Sequence, residues 1–158
     1  MTEQTQACAV AQETAERPLI CFVCTGNTCR SPMAAALING AGGKYRAVSA
    51  GLAACEGAPI SEHAKEALLL HGVLSTPENP YADHRAQSLT PELAERADLI
   101  VGMTDSHLLQ LLVRFPQVAT RVHAMPTSIP DPFLGSLADY RACLARIAAG
   151  LKEAGWLC

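Results

Sequence analysis

The chain has 158 residues, 49% of them apolar and only 17% charged, where a soluble domain usually carries about 25% charged residues. At roughly 150 residues per domain that is one unit, with enough apolar side chains for a core of its own. Twelve basic against fifteen acidic residues leave a net charge of −3, which excludes a general nucleic-acid or anionic-membrane binder. No apolar run approaches the ~20 residues of a membrane span.

Residues 1–17 are polar and aperiodic, which predicts a flexible N-terminal tail ahead of a single domain over 18–158. Met1 to Arg17 has neither a basic start nor an apolar stretch of about 7–15 residues, so no secretory signal is expected and the predicted compartment is the cytoplasm. The seven cysteines show no framework spacing, and in a reducing compartment they stay free thiols. Cys21, Cys55 and Cys143 read as small buried apolar residues.

Leu19 to Val23 is a continuous apolar run, the signature of a strand buried on both faces. Ser31 as N-cap with Pro32 behind it predicts a helix through Ile38, stopped by Gly40, Gly42 and Gly43. A second strand is expected over Tyr45–Ser49, running into Ala50-Gly51. A helix follows from about Ser61 to His71, with Ala64, Ala67, Leu68 and His71 on one face. Ser75 to Ser88 reads as an irregular loop, and Thr90-Pro91 opens a short helix to Arg96. Leu99 to Met103 is another apolar strand. Thr104 then caps a helix that Pro116 ends. Arg121–Met125 is the fourth strand candidate, and Ser136 with Asp139 forms a capping-box variant for a last helix to about Ala154. Strands separated by helices predict a three-layer α/β/α fold, with a central four-stranded parallel sheet and helices on both faces. Ligands in such sheets sit beyond the carboxyl ends of the strands, where the stretch from Cys24 to Ser31 falls.

That stretch, Cys24-Thr25-Gly26-Asn27-Thr28-Cys29-Arg30-Ser31, joins a strand to a helix. Successive N–H groups of a tight loop converge into an anion nest, and the helix N-terminus adds partial positive charge. Arg30 offers a planar fork for two phosphate oxygens. Cys24 at the mouth of the nest has its thiolate held by the same donors, with the Ser31 hydroxyl adding a hydrogen bond. Gly26 and Asn27 tolerate the positive φ that so tight a loop requires. A Walker loop is excluded because its pattern is absent. Cys21-x2-Cys24 has no second pair for zinc, and Cys21 lies inside the strand. The histidines at 63, 71, 84, 107 and 123 have no metal spacing and read as surface or core-edge residues. Neither a metal nor another cofactor is expected.

The run from Val23 through Arg30 to Ala34 resembles the signature of the low-molecular-weight protein tyrosine phosphatase family. Ser49-Ala50-Gly51, Asp98 to Thr104 and Asp131-Pro132-Phe133 resemble its later landmarks, in the same order. Within the family the sequence is most similar to bacterial protein arginine phosphatases: Thr28 stands where tyrosine-directed members carry an aliphatic residue, and Phe133 where many carry tyrosine. Pro130 points to the tyrosine branch. The resemblance implies Cys24 as nucleophile, Arg30 and the loop from Thr25 to Ser31 as phosphate binders, and Asp131 as general acid and base. Thr28 and Phe133 are then specificity residues. The expected activity is hydrolysis of phosphoarginine on proteins through a cysteinyl phosphate, releasing inorganic phosphate. Phosphotyrosine is the alternative substrate, and arsenate reduction a more distant one, since no cysteine between Cys55 and Cys143 supplies its relay. Cys29, in the same loop as the nucleophile, is a candidate redox partner that protects Cys24 by a reversible disulfide. The expected partner is a phosphorylated protein, with no nucleic acid and no membrane. Tyr81, Asp83, His84 and Arg85 fall in a long loop that can wall a pocket.

Overall fold

Leu19–Cys24 forms strand β1, and all six of its side chains are buried. A strand enclosed on both faces must sit centrally, and it does. The sheet order is β2-β1-β3-β4, with β2 over Arg46–Gly51, β3 over Leu99–Gly102 and β4 over Val122–Ala124. Every pairing is parallel. The computed structural model describes residues 17–158. The tail expected over 1–17 lies outside them except for Arg17, whose guanidinium donates to the Gly43 carbonyl at 3.2 Å.

Five helices complete the described fold: α1 (Arg30–Ala41), α2 (Glu62–Leu70), α3 (Pro91–Arg96), α4 (Asp105–Arg114) and α5 (Leu137–Glu153). Alternate side chains of β1 point to opposite faces and so enter different cores. Ile20, Phe22 and Cys24 pack with Met33, Leu68, Leu144 and Ile147 from α1, α2 and α5. Cys21 and Val23 pack with Leu93, Leu111 and Phe115 on the other side. These are the three expected layers. Burying a side chain such as Phe22 on one face or Val23 on the other contributes about 1.5–3 kcal/mol, so β1 anchors both cores at once.

Helix α1 is buried continuously from Arg30 to Ile38, which is why its sequence is apolar on all sides rather than striped. It starts earlier than the cap signal indicates. Ser31 is inside the helix, Cys29 occupies the cap position, and no side chain caps it. The Ser31 hydroxyl is used elsewhere, as described below. The helix also runs through Gly40 to Ala41 before Gly42 ends it. Thr90, Thr104 and Ser136 cap their helices as expected, the last in a full capping box with Asp139. His71 falls past the end of α2 and is exposed, so the apolar face there is Ala64, Ala67 and Leu68. The irregular 75–88 loop contains a 3₁₀ turn at Tyr81–Asp83.

The connection from β1 runs outward to β2, while β3 lies on the other side of β1. The crevice where the winding reverses therefore opens above the carboxyl ends of β1 and β3. Cys24 and Gly102 end those two strands.

Candidate functional site

The segment after β1 is held by its carbonyls. Cys24 O accepts from Leu52 N–H, Thr25 O from Ala53 N–H and Thr28 O from Ser61 N–H, each at 2.9 Å. Asn27 O meets His84 Nε2 at 2.7 Å. With the carbonyls drawn to the surrounding elements, the N–H groups turn the other way. Among the described residues, none of the amides from Gly26 to Ser31 donates to a protein acceptor. A row of unsatisfied donors at a helix N-terminus is an anion site. Gly51 makes the geometry feasible, because a Cβ there would lie 2.6 Å from the Thr25 carbonyl.

Asn27 carries the curvature. It is fully buried, and its φ of 60° is left-handed, a conformation that asparagine adopts at lower cost than most residues. Gly26, expected to share that role, has no positive φ. The Asn27 carboxamide oxygen accepts from Gln87 N–H at 2.9 Å, and its nitrogen donates to Ser31 Oγ at 2.9 Å. Ser31 Oγ thus already accepts one hydrogen bond, and its own proton faces Cys24 Sγ at 2.9 Å. Cys24 is only 2% exposed.

His107, in the first turn of α4, braces the loop from the other side. Its Nε2 lies 3.0 Å from Thr25 Oγ1 and its Nδ1 2.9 Å from Thr104 Oγ1. Burial, reinforced by the positive charge of Arg30, pushes its pKa down to about 4. The neutral ring then donates through one nitrogen and accepts through the other. Burial likewise lowers His84. Both histidines belong to the site rather than to the surface. The signal available for His107 is its place three residues after a capping threonine, beyond an apolar strand.

Arg30 is 6% exposed. It donates from Nη1 to the Ile129 carbonyl at 3.1 Å, and Nη2 lies 3.6 Å from Asp131 Oδ2. The other Asp131 oxygen accepts from Phe133 N–H at 3.0 Å, so the aspartate both forms a local turn and faces the guanidinium. Cys24, the loop from Thr25 to Cys29, Arg30, Asp131 and Phe133 enclose one cavity of about 200 Å³. Ser31 sits beneath it. Cys24, the residues from Thr25 to Arg30, Asp131 and Phe133, all singled out in the sequence, line this one place.

Cys29 is buried, with Sγ 3.4 Å from Tyr140 Oη and 3.7 Å from Thr28 Oγ1. Burial and the hydrogen bond to Cys29 push Tyr140 up to about 12, so its phenol stays protonated. Cys21 and Cys143 are buried as expected, and that burial pushes each thiol up to about 12. Cys55 is exposed, contrary to expectation, because the 53–58 turn is outside both cores. The expectation of free thiols holds for Cys21, Cys24, Cys29, Cys55 and Cys143 and fails at Cys158, which is disulfide-bonded. No His, Cys, Asp or Glu cluster suited to a metal occurs among the described residues, and no helix there is long and apolar enough to cross a membrane.

The chain is similar to known protein phosphatases. It is 38% identical over 131 residues to a protein-arginine-phosphatase of Geobacillus stearothermophilus, covering 78% of this chain and 84% of that one. It is 35% identical over 136 residues to a probable low molecular weight protein-tyrosine-phosphatase, EpsP, of Ralstonia solanacearum, covering 84% and 90%. The solved YwlE arginine phosphatase from G. stearothermophilus superposes with a TM-score of 0.79 over 87% of this chain and 90% of that one, at 34% identity. Residues 19–154 match the model of a family described as low molecular weight phosphotyrosine protein phosphatase. A cysteine-dependent protein phosphatase of the low molecular weight phosphotyrosine protein phosphatase family is what this chain encodes, and it belongs to that family.

Proposed function

We propose that the protein removes phosphate from phosphoarginine side chains of protein substrates. Cys24 is the nucleophile and Asp131 the general acid and base. The observation that carries this reading is the cradle itself: a sulfur receiving the Ser31 hydroxyl at 2.9 Å, beneath inward-facing amides, with a guanidinium and a carboxylate on the rim. In the first step the Cys24 thiolate attacks phosphorus, and the P–N bond breaks as protonated Asp131 gives its proton to the leaving guanidine. In the second, Asp131 takes a proton from water, which displaces the cysteine and releases inorganic phosphate. Arg30 and the loop amides hold the three equatorial oxygens in both steps, where transition-state charge is spread. Asn27, Ser31, His84 and His107 keep those donors in place.

The preference for phosphoarginine rests on Thr28 and Phe133, which line the cavity, and on the relatives named as arginine phosphatases. The Thr28 hydroxyl offers a polar partner beside the P–N bond, and its branched carbon narrows the slot. Phosphotyrosine is the second reading, favoured by the Pro130-Asp131-Pro132 sequence and by the similarity to EpsP. Kinetics on paired phosphoarginine and phosphotyrosine peptides decide between them. Phosphoarginine should give the higher kcat/KM, and Thr28→Ile should reduce that ratio severalfold. A ratio untouched by Thr28→Ile overturns the specificity role.

Cys29 serves as the resolving thiol. Peroxide oxidises Cys24 to the sulfenic acid, and Cys29 condenses with it to the disulfide, releasing water. After mild peroxide treatment the peptide spanning both residues should be lighter by about 2 Da and revert with dithiothreitol. Sulfinic acid at Cys24 alone would remove the proposal. We place the enzyme in the cytoplasm, where a catalytic thiol stays reduced.

A further inference from the structure

A second cavity, of about 380 Å³, lies on the far side of the acid loop, between residues 130–135 and the outer face of α5. It shares Asp131 and Phe133 with the catalytic cavity. Because the two cavities share this wall, a polypeptide with its phosphorylated residue in the cradle has its neighbouring positions beside the second one.

Two features there have no part in folding. Phe133 is 65% exposed, and Leu134 beside it is 87% exposed. Leu134 also has a φ of 66°, within the turn closed by Gly135 N–H on the Pro132 carbonyl at 2.8 Å. For a bulky residue that conformation costs about 1–2 kcal/mol, and here no burial offsets it. Such a strained, solvent-facing apolar residue marks a contact made with something else.

The charges select the occupant. Asp139 Oδ2 is committed to the Ser136 N–H in the helix cap. Asp131 faces Arg30 at 3.6 Å. Arg146, on the cavity wall, is exposed and enters none of the ion pairs found among the described residues. It is the one cationic side chain on this lining, and the helix N-terminus beside Asp139 offsets the charge of that carboxylate.

We propose that this cavity is a subsite for the substrate protein, taking an acidic side chain next to the phosphorylated residue, with Arg146 pairing the carboxylate and Phe133 and Leu134 covering the chain. The proposal rests on the phosphoprotein reading above. It adds a sequence preference that the catalytic cradle cannot supply, since that cradle reads only the phosphate and its immediate leaving group.

The test uses the purified chain and two peptide series, phosphoarginine and phosphotyrosine, with Glu or with Lys at the two positions on either side. The comparison substrate is p-nitrophenyl phosphate, which fills only the cradle. Glu peptides should surpass Lys peptides about tenfold in kcat/KM, mostly through KM. Arg146→Glu should invert that order. Leu134→Gly, which suits the positive φ, should weaken both kinds of peptide severalfold. All three proteins should turn over p-nitrophenyl phosphate within about twofold of one another. Equal rates on Glu and Lys peptides, or an order unchanged by Arg146→Glu, overturn the subsite. A flank preference confined to the phosphotyrosine series supports the subsite and refutes the phosphoarginine reading instead. Loss of p-nitrophenyl phosphate turnover in the unaltered protein refutes the proposed chemistry and the subsite with it.

Discussion

In the loop from Cys24 to Arg30, four carbonyls are bonded to surrounding segments, and the residue of least favourable conformation, Asn27, is fully buried with both ends of its side chain bonded. In the loop from Pro130 to Gly135, across the same cavity, the bonds that shape the turn are local: Phe133 N–H to the Asp131 carboxylate and Gly135 N–H to the Pro132 carbonyl. The residue of least favourable conformation there, Leu134, is almost fully in water. One loop is fixed by the fold and the other mainly by itself. The contrast follows from what each contributes. Donors aimed at an oxyanion stabilise the transition state only if they need not reorganise. A general acid must instead reach leaving groups of differing shape and exchange protons with water.

If that division is right, the two loops respond differently to substitution. Asp131→Asn should lower kcat by about 10²–10⁴-fold on peptide substrates while leaving the melting temperature nearly unchanged, because the side chain is half exposed. A large fall in melting temperature would show that the acid loop is part of the scaffold after all. Asn27→Ala should damage both properties. It leaves Gln87 N–H and Ser31 Oγ without their partner and puts alanine at positive φ, which together cost about 2–4 kcal/mol. Turnover of p-nitrophenyl phosphate should fall at least tenfold, as the cradle loses its shape. Unaltered thermal unfolding in that variant would break the comparison.

A smaller effect sharpens it. The folded pKa of His107, about 4, lies below the ordinary histidine value of 6.5. The unfolded chain therefore takes up the proton first, and the stabilisation is complete above about pH 6.5 and lost as pH falls toward 4. Between pH 7 and pH 5 this amounts to about 2 kcal/mol, or roughly 4–8 °C in melting temperature for a chain of this size. His107→Gln should remove most of that pH dependence. The burial-depressed His84 should leave a weaker residue of the same sign.

Much of this is readable without the fold. The run from Leu19 to Val23 identifies the central strand because only burial on both faces tolerates it, and the residues from Cys24 to Ser31 carry their chemistry in a contiguous segment. Ser31 misleads because a serine followed by proline satisfies the local rule for a cap. Nothing local says that an asparagine four residues earlier claims its oxygen and turns its proton toward sulfur. The histidines mislead for the same reason. His84 is 57 residues from its partner and His107 is 82 from its own, and no periodicity reports a contact of that span. Cys55 is expected inside because small apolar thiols usually are, but it lies on a turn that neither core includes.

Sequence alone determined the strand–helix alternation, hence the parallel sheet, and placed the proposed nucleophile, cradle and arginine within one loop, because both are written in neighbouring residues. Tertiary structure decided which groups hold that loop rigid, how Asp131 meets Arg30, and that a second cavity, with Arg146 on its wall, adjoins the first. These depend on the packing of segments far apart in the chain, where the direction of a hydrogen bond or the neutralisation of a charge is set by what lies opposite.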